Sequence, residues 1–161
     1  MGEKILKALE NVKVLDLTRV LSGPFCTAML ADMGASVIKV EHPLGDGARE
    51  PSASVNGESL YFMSLNRGKK GITLDLKDEK GLKILKSLVE KTDVIVENFR
   101  PGVMDKLGLS YKELKAINPG IIYASISGVG QYSPMKNLPA FDLVAQAMGG
   151  LMSVNGQAGA P

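Results

Sequence analysis

The sequence has little of several residue types on which specialised proteins depend. Its 161 residues include one cysteine and no tryptophan, and aromatic residues make up 5% of the chain. The single cysteine, Cys26, excludes an intramolecular disulfide and fits a reducing, cytoplasmic setting. Because few rings are available for base stacking, we expect no nucleic-acid partner.

Strong charge and long apolar runs are also missing. The formal net charge is +2 at pH 7, and no block of like charges forms a binding tail. No apolar run approaches the ~18 residues of a membrane span, so we expect no membrane partner. The N-terminal residues carry charges throughout, which predicts no signal peptide. What remains, 45% apolar and 22% charged residues, is typical of a globular domain.

Short apolar runs alternate along the chain with helical patterns. Pro24 fits the first turn of a helix, and Asp78 fits an N-cap position. Ser110 and Glu113 have the spacing of a capping box. Strands are predicted at 12–17, 36–41, 72–76, 93–98 and 121–128, a long loop at 43–59, helices from 24, 79, 101 and 111, and a further helix at 141–152. This alternation predicts an α/β fold, with a mainly parallel, Rossmann-like sheet and helices on both faces.

Polar and basic residues follow the predicted strands, at the edge where open α/β sheets bind ligands. Lysine and arginine pair with phosphate, and helix N-termini offer free N–H groups, so a phosphorylated nucleotide would suit this edge. Polar residues also collect at strand ends that bind nothing, so the pattern alone leaves both interpretations open. The residues concerned are Arg19, Val20, Leu21, Ser22, Gly23, His42, Lys77, Asn98, Phe99, Arg100, Gly128 and Gln131.

The usual glycine-rich phosphate motifs are absent. The sequence contains no P-loop pattern, and no dinucleotide-binding glycine pattern follows the first predicted strand. This absence argues against a P-loop enzyme and an ordinary nicotinamide dehydrogenase. A nucleotide would therefore be held by side chains and scattered backbone groups.

Five blocks of sequence occur in a distinctive order. They are VLDLTRVLSGPFCTAMLADMGASVIKVEHP, NRGKKGITLDLK, DVIVENFRPGVMDKLGL, INPGIIYASISGVGQYSP and FDLVAQAMGG. From about Asn11 onward, the chain resembles the N-terminal part of family III CoA-transferases, which include the carnitine, formyl and bile-acid-inducible CoA-transferases. The resemblance implies that residues 1–161 form an N-terminal CoA-binding α/β domain, with the rest of the large domain and the small domain absent.

The resemblance also implies an activity. Enzymes of this family move CoA from an acyl-CoA thioester to a carboxylic acid through an aspartyl-CoA intermediate. CoA is the carried group, so no metal or other cofactor is implied, and full-length subunits are expected to interlock as a homodimer. In the family pattern the nucleophilic aspartate lies beyond Pro161. The 161 residues alone are therefore expected to be inactive.

Motif by motif, the resemblance assigns residues to the CoA site. Asp142 is a possible auxiliary carboxylate, and His42 stands where relatives often have a basic residue beside the adenine. The implied CoA-binding residues are Val20, Leu21, Ser22, His42, Leu74, Asp75, Lys77, Asn98, Phe99, Arg100, Lys106, Ala140, Phe141 and Asp142. We expect Asp16 to make structural hydrogen bonds and Cys26 to pack inertly.

Three other functions remain as alternatives. An α-methylacyl-CoA racemase would share the fold, but its proton-transferring histidine stands where this chain has Phe141. A non-catalytic CoA-binding module or split subunit would bind CoA without acyl exchange. A generic nucleotide-binding protein would accept ATP or NAD as readily as CoA.

Overall fold

Five parallel strands form the central sheet. The structure, a computed structural model, describes residues 7–50 and 53–156. The strands of this sheet are β1 (Lys13–Asp16), β2 (Ser36–Glu41), β5 (Lys70–Thr73), β6 (Val94–Glu97) and β7 (Ile122–Ser125), and they lie in the order β5-β2-β1-β6-β7. A separate antiparallel hairpin comprises β3 (Ser54–Val55) and β4 (Glu58–Ser59). The parallel order confirms the predicted α/β fold.

Helices connect the strands and cover the sheet. They are α1 (Ser22–Asp32), α2 (Leu60–Asn66), α3 (Glu79–Val89), α4 (Val103–Lys106), α5 (Tyr111–Ile117), α6 (Asp142–Met148) and α7 (Leu151–Val154), with a 3₁₀ turn at Gly47–Arg49. No helix in the described ranges is long and apolar enough to cross a membrane.

Side-chain caps begin two of the predicted helices. The carboxylate of Asp78 accepts hydrogen bonds from the backbone N–H groups of Lys80 and Gly81 at the start of α3. Ser110 and Glu113 form the predicted capping box at the start of α5. These caps satisfy N–H groups that have no partner within the helix.

The core lies on both faces of the sheet, because successive strand residues point to opposite sides. On one face the buried cluster comprises Leu15, Leu17, Val40, Leu74, Leu85, Val89, Ile95, Met104, Leu109, Leu114 and Ile121, with contributions from α3, α4 and α5. On the other face Val14, Ala35, Val37 and Val96 pack with Leu30 and Ala31 of α1. The prediction of helices on both faces is confirmed.

Several boundaries differ from the sequence prediction. The strand predicted at 72–76 begins earlier, at Lys70, and ends at Thr73. The loop predicted at 43–59 contains the 3₁₀ turn and the β3–β4 hairpin, and α2 follows it. The hydroxyl of Ser59 caps α2 by accepting the N–H of Phe62, a signal that the sequence analysis missed. The helix predicted at 141–152 divides where Gly150 has a φ of 79°, a left-handed conformation favoured by glycine.

Candidate functional site

A cleft of about 1200 Å³ opens at the carboxyl ends of the parallel strands. The chain places β2 and β5 on one side of β1, then crosses to place β6 and β7 on the other. This reversal separates the loops that follow β1 and β6, and such switch points are where open α/β sheets bind ligands. The topology therefore selects this cleft as the candidate site.

The cleft brings together every predicted CoA-binding residue except Lys106. From the β1 and β2 ends come Val20, Leu21, Ser22 and His42; from the β5 and β6 ends come Leu74, Asp75, Lys77, Asn98, Phe99 and Arg100; from the α6 end come Ala140, Phe141 and Asp142. Lys106 is exposed on α4, outside this lining, although Val103 and Leu107 of the same helix do line the cleft. Residues far apart in sequence thus meet at one edge of the sheet.

The loop after β1 is held by the side chain of Asn98. Its Oδ1 accepts the backbone N–H of Arg19 at 2.8 Å, and its Nδ2 donates to the Arg19 carbonyl at 2.8 Å. The Oγ of Ser22 lies 3.5 Å from the same nitrogen. The amide of Asn98 therefore joins the β6 and β1 loops across the switch point and shapes one wall of the cleft.

A buried ion pair lies beneath the same loop, and the sequence analysis did not find it. The ammonium of Lys39, on β2, lies 3.0 Å from Oδ2 of Asp46, and both side chains are at most 2% exposed. Burial alone would raise the pKa of Asp46, but the N–H groups of Ala48 and Val20 and the ammonium of Lys39 together lower it. A lysine between the apolar residues Ile38 and Val40 of a predicted strand was the available signal, because a buried charge requires a partner.

A second buried ion pair joins β1 to the segment before β5. The ammonium of Lys69 donates to Oδ2 of Asp16 at 2.9 Å and to the carbonyl of Pro24 at 2.9 Å. Burial lowers the pKa of Lys69, and the neighbouring Asp16 carboxylate opposes that effect. The hydroxyls of Thr18 and Thr27 also donate to Asp16. The structural hydrogen bonding expected of Asp16 is confirmed.

The imidazole of His42 lies in the cleft lining with one nitrogen already engaged. Its Nδ1 accepts the backbone N–H of Leu44 at 3.1 Å. A nitrogen that accepts a hydrogen bond carries no proton, so Nε2 carries the ring proton in this arrangement. His42 therefore offers a flat ring and one N–H donor to a ligand.

The wall beside His42 is held by a charged and aromatic cluster. The guanidinium of Arg49 donates to both carboxylate oxygens of Glu41, at 2.7 and 2.8 Å. It also lies 3.6 Å from the centre of the Phe62 ring. The hydrogen bond from Arg49 lowers the pKa of Glu41 against the effect of burial. These contacts fold the segment after β2 toward α2 and so fix one border of the cleft.

Basic side chains on the cleft rim have no acidic partner among the described residues. Arg19, Lys77 and Arg100 line the cleft, and none of them forms an ion pair with a described residue. The carboxylate of Asp75 instead accepts the backbone N–H of Lys77 at 2.9 Å. Unpaired cations at a cleft mouth suit an anionic ligand such as a phosphate.

A family model fits the same residues that form this cleft. The model described as "CoA-transferase family III" matches residues 9–161, which is nearly the whole chain. The chain belongs to CoA-transferase family III. The resemblance inferred from five sequence blocks is thereby confirmed.

Individual family III relatives match over most of this chain. The acetyl-CoA:oxalate CoA-transferase of Acetobacter aceti is 51% identical over 91% of the chain, and the succinyl-CoA:glutarate CoA-transferase of Homo sapiens is 50% identical over 94%. The chain spans 38% and 35% of the length of these two relatives. A CaiB/BaiF family protein from Brucella suis is 42% identical, with a TM-score of 0.90, over 96% of this chain and 42% of that one.

Another part of the rim of this cleft is formed by the residues just before α6 and at its start. A β-carbon on Gly128 would lie 2.0 Å from Cβ of Ala140, so glycine is required for the two segments to meet. Phe141 is 76% exposed, and the carboxylate of Asp142 accepts the side-chain N–H of Gln146. Phe141 and Asp142 thus face open space at the mouth of the cleft, beside the partly buried Ala140.

Two residues of the predicted ligand-binding edge, Gly23 and Gln131, do not line this cleft. Gln131 lines a second cavity of about 820 Å³ at the β7 edge of the sheet, with Glu97 and Tyr123. Burial raises the pKa values of Glu97 and Tyr123. Among the described residues, no group of three or more His, Cys, Asp and Glu side chains is placed to hold a metal ion.

Proposed function

We propose that the protein is a CoA-transferase and that residues 1–161 are its N-terminal CoA-binding domain. The observation that carries this proposal is the cleft at the switch point, in which the implied CoA contacts other than Lys106 converge. Membership of CoA-transferase family III supports it. The names of the two relatives pair an acyl-CoA with an acid: acetyl-CoA with oxalate, and succinyl-CoA with glutarate.

Each part of the cleft suits one part of CoA. The rings of His42 and Phe99 offer flat surfaces for the adenine. The side chains of Lys77 and Arg100 offer cations for the phosphates of CoA. Lys106 adds a further cation if the nucleotide extends along α4. The loop from Val20 to Ser22 then accompanies the pantetheine arm toward the mouth of the cleft.

The thioester would emerge beside Ala140, Phe141 and Asp142, near the mouth. A carboxylate oxygen of the nucleophilic aspartate, beyond Pro161, attacks the acyl carbon and expels the CoA thiolate, forming a mixed anhydride. The thiolate then attacks the aspartyl carbonyl, releasing the first acid and leaving an aspartyl-CoA thioester. Repetition of both steps with the acceptor carboxylate, in reverse, releases the new acyl-CoA and restores the aspartate.

The same proposal includes an interlocked homodimer in the cytoplasm. The outer surfaces of α6 and α7 are apolar and open among the described residues: Leu143, Met148, Leu151 and Val154 are at least 51% exposed. Apolar area of this kind is typically covered by another part of the protein or by a second subunit. The solitary thiol fits a cytoplasmic location.

The test is acyl exchange by the full natural protein. The protein would be incubated with isotopically labelled acetyl-CoA or succinyl-CoA and a series of dicarboxylic acids, and new acyl-CoA species would be identified by mass spectrometry. Transfer of CoA to an acid is the expected result, and hydroxylamine should cleave the aspartyl-CoA thioester to free CoA and an aspartyl hydroxamate on the protein. CoA binding without exchange would instead identify a non-catalytic module.

The racemase alternative has its own marker. Loss of α-deuterium from a 2-methylacyl-CoA would indicate proton transfer and contradict the transferase proposal. Phe141 stands beside Asp142 in the position where a racemase would have histidine, so we expect the deuterium to be retained. Equal competition by ATP or NAD against CoA would indicate a generic nucleotide site.

A further inference from the structure

The buried pair of Lys39 and Asp46 connects three separate segments beneath the cleft. Besides contacting Asp46, the ammonium of Lys39 donates to the carbonyl of Thr18 at 2.9 Å. Oδ1 of Asp46 accepts the backbone N–H groups of Val20 and Ala48, each at 3.0 Å. The pair therefore holds the β1 loop from below at two points, Thr18 and Val20.

The loop has a backbone conformation that needs such support. Val20 has a φ of 67°, in the left-handed region that β-branched residues strongly disfavour. Residues held in such conformations require surrounding contacts and are concentrated at functional sites. The carboxylate of Asp46 accepts a hydrogen bond from the backbone N–H of this strained residue. The contact stabilises a loop shape that valine would not adopt by itself.

A buried ion pair is weak evidence of added stability, because removing two charges from water opposes their attraction. Apolar residues in the same space would fill the core without that cost. The particular value of Lys39 and Asp46 lies in the directions of their bonds: each is aimed at a backbone group of the β1 loop. Their arrangement suits the fixing of a loop better than the filling of a core.

We infer that Asp46 and Lys39 are positioning residues that hold the loop from Thr18 to Ser22 in the shape that receives an acyl-CoA. This inference rests on the proposed function. Asn98 holds the loop from the β6 side through Arg19, while Asp46 and Lys39 hold it from the β2 side. Leu21, between these anchors and α1, and Ser22, the first residue of α1, are thereby presented to the cleft.

The test compares Asp46→Asn with the wild type in the full natural protein. The variant keeps the shape of the side chain but removes the charge opposite Lys39. We expect KM for the acyl-CoA and Kd for CoA to rise about tenfold, while kcat changes by less than about twofold. Val89→Ala, which shortens a fully buried side chain of α3, is the matched control: it should lower the melting temperature and leave KM unchanged.

A rescue experiment separates positioning from general stability. Glycine adopts positive φ without strain, so Val20→Gly should make the loop shape accessible without help from Asp46. Val20→Gly alone reports what the valine side chain contributes to CoA binding, and adding Asp46→Asn to Val20→Gly should therefore weaken CoA binding far less than adding it to the wild type. If Asp46→Asn does not fold, Lys39→Met combined with Asp46→Asn removes the unpaired buried charge and allows the same measurements.

The outcomes distinguish this inference from the function on which it rests. Wild-type protein that binds no CoA would overturn both. CoA binding by the wild type, with an unchanged KM in the Asp46 variant, would overturn the positioning role and leave the transferase proposal standing. An equal rise in KM when Asp46→Asn is added to the wild type and to Val20→Gly would likewise overturn the inference that Asp46 acts through the loop.

Discussion

The side chain of Asn98 engages both backbone polar groups of Arg19, accepting from its N–H and donating to its carbonyl at 2.8 Å each. These two bonds join residues that are 79 positions apart in sequence, across the point where the strand order reverses. The amide of asparagine suits this role because it carries a donor and an acceptor side by side.

Removal of this amide should weaken CoA binding. We expect Asn98→Ala to cost about 1–3 kcal/mol of binding free energy, because the Arg19 backbone loses both partners and the β1 loop loses one anchor. Isothermal titration of the full natural protein with CoA measures the effect. Asn98→Asp is the informative companion: it can still accept from the N–H but repels the carbonyl, so it should also bind weakly. Wild-type affinity in both variants would contradict this role.

A methyl group at Gly23 should disturb the start of α1. A β-carbon there would lie 2.3 Å from Cβ of Thr18, whose side chain is fully buried. We expect Gly23→Ala to destabilise the protein by about 1–3 kcal/mol through overpacking, and to weaken CoA binding as the loop shifts. Gly71→Ala is the control, since nothing lies within 4 Å of its β-carbon. Chemical denaturation of both variants measures the difference, and equal stabilities would refute the close approach.

Charge at the cleft rim should contribute to phosphate binding. Lys77 lines the cleft and is exposed, whereas Lys83 is exposed on α3 away from that lining. We expect Lys77→Ala to weaken CoA binding severalfold and to reduce its dependence on salt concentration, because a charged contact is lost. Lys83→Ala removes the same charge and should leave affinity almost unchanged. If both variants behaved alike, Lys77 would contribute only general surface charge.

The stability of the protein in acid should depend on Asp46. Its pKa in the folded protein lies below the ordinary value of 3.8, so the ionised carboxylate favours folding. That contribution is present above the ordinary value and is lost as the pH falls through the lowered pKa. We therefore expect the melting temperature of Asp46→Asn to fall less steeply than that of the wild type between about pH 4 and about pH 2.

A surface carboxylate provides the control for this pH experiment. Asp32 is 46% exposed in its ion pair with Arg67, and water screens such pairs. Asp32→Asn should follow the wild-type curve of melting temperature against pH. Parallel curves for Asp46→Asn and the wild type would show that the buried pair does not contribute to acid sensitivity.

The sequence by itself determined the fold class and most of the cleft. Alternating apolar runs and helix signals reflect local periodicity and capping, and such patterns are set by neighbouring residues. Once the strands are parallel, their carboxyl ends share one edge, so the order of residues along the chain suffices to assign His42, Lys77 and Asn98 to the same cleft. The sequence did not predict the boundaries of β5 or the existence of α2, because the local sequence signals in these segments are weak and packing decides their structure.

Only the tertiary structure decided how the cleft is held in shape. The partners of Lys39 and Asn98, and the strained backbone of Val20, arise from contacts between separate segments that no local pattern encodes. The sequence could indicate that a lysine in a buried strand needs a counter-charge, but not that Asp46 would provide it. Such pairings follow from chain topology, because a buried charge or a strained residue is stable only where the whole fold brings its partner within hydrogen-bonding distance.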